Sequence, residues 1–137
     1  MPIELIIVTP EGESFSGSVD QVVLPGSEGD FGVLEQHERF LAPLRHGAIE
    51  IKTGQSSDWA AVSSGFADVS AERVTVLADY CALAHDIDVA MAKEEQREAE
   101  AELAALPETN EHEARRAQLQ DVLLHASIQL HVAEKRI

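Results

Sequence analysis

Tyr80-Cys81-Ala82-Leu83-Ala84 and Val89-Ala90-Met91-Ala92-Lys93-Glu94-Glu95-Gln96 flank the short stretch Asp86-Ile87-Asp88, and the chain changes its period there. Upstream, apolar residues come in short runs separated by turn residues, the mark of strands. Downstream they recur in steps of three and four, the mark of helices. The fold class that follows is β then α. An N-terminal flattened β-sandwich or barrel of about ten short strands precedes a C-terminal antiparallel two-helix hairpin. The expected division is residues 1–85 for the sandwich and 86–137 for the hairpin.

Working back from the boundary, the clearest strand candidates are Ile3–Val8, Val19–Leu24, Ala48–Ile51, Trp59–Ser63, Phe66–Val69, Val74–Leu77 and Tyr80–Ala84. Pro10-Glu11-Gly12, Pro25-Gly26, Lys52-Thr53-Gly54-Gln55 and Ser63-Ser64-Gly65 supply turn chemistry between them. Working forward, Asp86 and Asp88 are placed to cap the first helix. Its seam is Val89, Ala92, Gln96, Ala99, Leu103 and Leu106, and Pro107 ends it. Asn110 and Glu113 have capping-box spacing for the second helix, whose seam is Leu119, Leu123, Ala126, Leu130 and Ala133. One seam is mostly Ala and the other mostly Leu. They can approach closely, but an Ala methyl releases far less on burial than the ~1.5–3 kcal/mol of a Leu. Such a hairpin could open or stay docked, and periodicity does not separate the two.

Composition narrows the function classes. Ten basic residues against 25 acidic give a net charge of −15. Residues 1–85 carry −9 of this and residues 86–137 carry −6, with no basic stripe in either. Phosphate backbones and anionic lipid headgroups repel such a chain, so no nucleic-acid partner is expected. No apolar run approaches the ~20 residues of a membrane span, so direct insertion is not expected either. The first residues lack the basic start and cleavage site of a signal peptide. The lone Cys81 has no internal partner and reads as a small buried hydrophobe in a reducing compartment.

Catalytic chemistry has little to build on. Gly26-Ser27-Glu28-Gly29-Asp30-Phe31-Gly32 has neither dinucleotide nor P-loop spacing, and its two carboxylates would repel phosphate. It reads as a tight turn between strands, or as a loop presenting Glu28 and Asp30 to a partner. The histidines at 37, 46, 85, 112, 125 and 131 show no i, i+4 pair and no zinc motif, so no metal or cofactor is expected. A hydrolase using Ser64 or Cys81 lacks a paired base. A scaffold using the hairpin as a docking arm stays open on these grounds.

The block from Gly26 to Val33, followed by His37 and by Ile49-Glu50-Ile51, resembles the epsilon subunits of bacterial proton-translocating rotary ATP synthases, called delta in mitochondria. Ser64-Gly65-Phe66-Ala67-Asp68-Val69 and Val74-Thr75-Val76-Leu77-Ala78-Asp79 extend the likeness. It implies a non-catalytic part of the central stalk, on the cytoplasmic face of the bacterial inner membrane. The implied partners are the gamma subunit, the c-ring and, through the last helix, the alpha/beta catalytic head. Glu28 and Asp30 then stand as c-ring contacts, suited to the Arg that c-ring loops usually carry. His37 stands as a gamma contact. The turn Leu34-Glu35-Gln36-His37-Glu38-Arg39 lacks the family's Pro-Gly and Ala-Pro, which leaves contacts there open. Some relatives bind ATP at the hairpin through three arginines; the matching positions here are Met91, His125 and Gln129, so the cations are lost. With no Lys or Arg between Ala117 and Ala133, the hairpin is expected to restrain ATP hydrolysis only weakly.

Overall fold

Ile3, Leu5 and Ile7 alternate with Glu4 and Ile6, and that period of two sets the first strand with its odd-numbered side chains inward. The computed structural model describes residues 2–34 and 38–135. Strand β1 (Ile3–Thr9) turns back through Pro10-Glu11 into β2 (Gly12–Val19) and runs parallel to β9 (Arg73–Ala78). Between them lie β3 (Gln21–Gly26), β4 (Gly29–Val33), β5 (Phe40–Leu44), β6 (Gly47–Thr53), β7 (Ser56–Val62) and β8 (Gly65–Val69), with β10 (Cys81–Leu83) last. The sheet order is β10-β7-β6-β3-β5-β8-β9-β1-β2, with β4 on β3. The sheet curls on itself into a flattened barrel. Leu5 and Ile7 at one end of that path share a core with Val22 and Leu24 at its middle and Ile49 and Ile51 beyond. None of these six is more than 1% exposed.

Two strand expectations need correction and one turn is narrower than expected. Val19–Leu24 is not one strand: the chain breaks at Asp20, whose carboxylate accepts the Gly54 N–H while its own N–H donates to Lys52 O at 2.8 Å. Gly26–Gly32 does hold a tight turn between strands, but the turn is confined to two residues and the strands extend into the rest of the stretch. Only Ser27 and Glu28 form the loop, Gly26 pairs with Gly29, and β4 follows. Gly29, at φ 138°, provides the positive-φ backbone that closes this loop. The last run is shorter than Tyr80–Ala84: β10 stops at Leu83, and Ala84–Asp86 form a 3-10 turn. Strands β2 and β5 fall largely outside the runs read from sequence.

Helix α1 (Val89–Ala105) begins where expected, with the Asp88 carboxylate accepting the Met91 N–H at 3.0 Å. Asp86 instead lies in the 3-10 turn, its carboxylate against His85 at 3.5 Å. A 3-10 turn at Asn110–His112 leads into α2 (Glu113–Glu134). No side chain caps α2, so the Asn110–Glu113 box does not form; the extra turn shifts Asn110 away from the N-cap position. Ala92 and Ala99 on α1, with Leu119 and Ala126 on α2, are the buried seam positions. Val89 departs from the expected seam and is exposed. α2 rather than α1 makes the main contact with the sandwich, against β6, β7 and the turn after β10. No helix among the described residues is long and apolar enough to cross a membrane.

Candidate functional site

On β8 and β9 the inward residues are Ala67, Val69, Val74 and Val76, all fully buried. The alternation therefore turns Phe66, Asp68, Thr75 and Leu77 outward. Phe66 lies directly across from Leu77 on one side and from Pro43 on the other. With Leu41 on β5 they make an apolar outer face, on which Leu41 is 65%, Phe66 51% and Leu77 50% exposed. Beside it a cleft of about 610 Å³ runs from Val8 and Pro10 to Ser64 and Asp79. Isolated exposed apolar residues are ordinary, whereas contiguous apolar surface is the kind at which partners, ligands or membranes bind.

Pro43 also borders a second cleft of about 520 Å³, where Phe31, Phe40 and Ala42 meet the loop at Ser27 and Glu28. The Phe31 and Phe40 rings lie 5.7 Å apart between centroids at 58°. The loop is pinned to β5 by the Ser27 N–H donating to Pro43 O at 3.0 Å and the Arg45 N–H donating to Pro25 O at 2.9 Å. Its two acids differ. Asp30 accepts a hydrogen bond from the Arg45 guanidinium within the chain. Glu28 sits exposed at the tip, and no ion pair reaches it among the described residues. The pair read together from sequence is thus split into one acid already engaged and one presented outward. His37 lies outside the described residues.

The hairpin positions divide as well. Met91 is exposed on the first turn of α1. His125 and Gln129, one turn apart on α2, both meet Tyr80, which precedes β10. The Gln129 side-chain amide donates to the Tyr80 hydroxyl, and the His125 ring packs edge-on against the Tyr80 ring with centroids 4.5 Å apart. Tyr80 is itself held by its N–H donating to the buried Ser63 hydroxyl at 3.0 Å. Burial lowers the His125 pKa and raises that of Tyr80. Below this junction Val132 is fully buried with Ala61, Ala84 and Ile87, and Lys135 lies 5.3 Å over the Trp59 ring. Cys81 is half-buried against the core, and burial pushes its thiol up to about 11, so little thiolate exists at neutral pH. Ser64 lines the first cleft and is exposed, and among the described residues no base is hydrogen-bonded to its hydroxyl.

Sequence reasoning missed the apolar outer face. The signal was Leu77, an apolar residue between Val76 and Ala78 where strict alternation calls for a polar one.

The model of the ATP synthase delta/epsilon chain beta-sandwich domain matches residues 2–84. The ATP synthase epsilon chain of Syntrophobacter fumaroxidans is 41% identical over 133 residues, 97% of this chain and 96% of that one. The epsilon chain of Nitratidesulfovibrio vulgaris is 41% identical over 121 residues, 88% of this chain and 90% of that one. Among solved structures, a chain of the Euglena gracilis mitochondrial ATP synthase (OSCP/F1/c-ring) matches the fold with a TM-score of 0.79. It is 24% identical and covers 97% of this chain and 81% of its own length.

Proposed function

This chain belongs to the ATP synthase epsilon-chain family, and on that premise we propose that it is a non-catalytic rotor part that fastens a membrane ring to the central shaft. The observation that carries this reading is the apolar outer face of Leu41, Pro43, Phe66 and Leu77, continuous through Pro43 with the loop that presents Glu28. A rotor coupling needs two kinds of contact. One is a broad apolar face that holds a permanent partner, here assigned to gamma together with the turn carrying His37. The other is a charged tip that registers on a repeating polar surface, here assigned to Glu28 against basic c-ring loops. Asp30 supports the tip: its pair with Arg45 links β4 to the β5–β6 connection at the base of the loop. Torque passes through these contacts, while ATP chemistry belongs to other subunits. The chain is placed at the cytoplasmic face of the inner membrane, peripherally, through its partners.

The hairpin on this reading restrains ATP hydrolysis weakly at neutral pH, because α2 is occupied with its own sandwich and carries no cation through its middle.

The test uses membranes carrying Glu28→Lys, alone and with Asp30→Lys. Glu28→Lys should change the stability of the isolated chain by under ~0.5 kcal/mol, as exposed substitutions do. Asp30→Lys adds the loss of an exposed ion pair, about 0.2–1 kcal/mol. Proton pumping per ATP hydrolysed should nevertheless fall in the single variant and further in the double. Unchanged pumping per ATP removes this loop from the coupling surface. In the same assay, ending the chain after Asp86 should activate hydrolysis only slightly, and a several-fold activation would overturn weak restraint.

A further inference from the structure

The hairpin touches the sandwich mainly through α2, and among the described residues the side-chain hydrogen bond between them is the one to Tyr80, with Lys135 over Trp59 further along the helix. Gln129 and His125 are spaced one helical turn apart, so both face Tyr80 at once. The hydroxyl accepts from the Gln129 amide, and the ring edge stacks with the imidazole. The Tyr80 backbone is itself anchored, its N–H donating to the Ser63 hydroxyl. Undocking α2 therefore has to part these three side chains together.

We propose that Tyr80, His125 and Gln129 form a clasp that holds α2 on the sandwich near neutral pH and releases it in acid. The clasp is a property of the chain alone and does not depend on the rotor reading.

The groups around His125 give the sign. Tyr80 faces it from the sandwich as a neutral ring, with the largely protonated Cys81 thiol next to Tyr80 in sequence. Glu95, half-buried on α1, favours the imidazolium, and His46, between β5 and β6, disfavours it. Arg45, Glu50 and His131 line the adjoining cleft between α2 and β6. Burial is the largest influence, and the net result is a lowered His125 pKa in the docked state. Released from the sandwich, His125 returns to about 6.5. Above that value both states are neutral and docking is unaffected. As pH falls through 6.5 the undocked state takes up a proton that the docked state resists, so docking weakens. One pH unit below 6.5, the ceiling for a single such group is about a tenfold loss.

Backbone amide exchange on the full chain reads this directly. Protection of α2 amides is compared at pH 7.5 and 5.5 after correction for intrinsic rates, with the Val74 and Val76 amides of β9 as internal reference. The native chain should lose protection in α2 at pH 5.5, by no more than the tenfold ceiling, while β9 stays protected. His125→Gln and His125→Phe cannot titrate, so their α2 protection should not depend on pH. The Phe variant keeps an apolar ring against Tyr80 in case the Gln variant docks poorly at both values. His131→Gln should behave like the native chain. Emission of Trp59, the single tryptophan, beside Lys135 at the foot of α2, gives a second reading. Constant α2 protection in the native chain, or the same acid loss in both His125 variants, overturns the clasp.

Discussion

Leu5, Ile7, Val22, Leu24 and Ile49 in the sandwich have no exposed surface and come from strands far apart in sequence, whereas the buried positions of α1 are Ala92 and Ala99. Each large side chain in the first group contributes about 1.5–3 kcal/mol of apolar burial, and an alanine contributes a fraction of that. The sandwich core also links β1, β3, β6 and β9, so no strand leaves without opening the others. The hairpin has one seam between its helices and one narrow contact with the sandwich, through α2. The two regions are therefore expected to differ in local stability, the sandwich opening only with the whole fold and the hairpin separating as a unit. On the proposed coupling role, such a division would leave the sandwich as the rigid end and the hairpin as the part able to respond.

The largest test of the contrast is in the core. Leu5→Ala removes a fully buried side chain opposite Val74 and leaves a cavity in the sandwich core. Urea unfolding of the isolated chain should show a loss of about 2–5 kcal/mol, borne by the cooperative transition of the sandwich. If the loss were under 1 kcal/mol, the core would be far more compliant than its burial implies.

How much of this could be read from the residues follows from where the signals are local. The change of period at Asp86-Ile87-Asp88 is a local signal, and it placed the start of α1 and its Asp88 cap. Strand β2 was missed because Gly12-Glu13-Ser14-Phe15-Ser16-Gly17-Ser18 is polar and glycine-rich, the sequence of a strand at the end of the sheet order. Strand β5 was missed because Pro43 has no N–H to give to a ladder and so argues against a strand, yet it pairs across from Phe66 and its carbonyl accepts from the Ser27 N–H. The capping box failed because a 3-10 turn takes up the same residues. At the site, Glu28 and Asp30 were legible as acids, but the Arg45 that separates their roles lies on another connection. The spacing of His125 and Gln129 was visible. Their shared partner Tyr80 was not, since it lies 49 residues before Gln129 and is brought there by the fold.

A smaller effect is expected at the start of the hairpin. Asp88 accepts the Met91 N–H and so satisfies one of the free donors at the head of α1. Asp88→Ala should cost roughly 0.5–2 kcal/mol of helix stability. If the two regions separate as expected, the loss appears as faster amide exchange in α1 and α2, with the urea transition of the sandwich unmoved. A matching drop in sandwich stability would mean that hairpin and sandwich unfold as one, and the contrast drawn above would fail.

The smallest expected effect is that of ATP on the hairpin, and it sharpens the comparison from the opposite side. A ligand that bound only the docked hairpin at a hundred times its dissociation constant would add ~2.7 kcal/mol to docking, enough to erase much of the difference between the regions. The residues present do not support such binding. Met91 is an exposed thioether, Gln129 is an amide already donating to Tyr80, and His125 is held neutral by burial. None supplies the fixed guanidinium fork that grips phosphate oxygens. Glu95, close enough to influence both His125 and Tyr80, would repel a phosphate entering there. Calorimetric titration of the full chain with ATP and magnesium at pH 7.5 should therefore give no saturable heat, and α2 amide protection should be the same with and without the nucleotide. Micromolar binding that disappears when residues 111–137 are removed would show that the hairpin grips phosphate by groups other than these three.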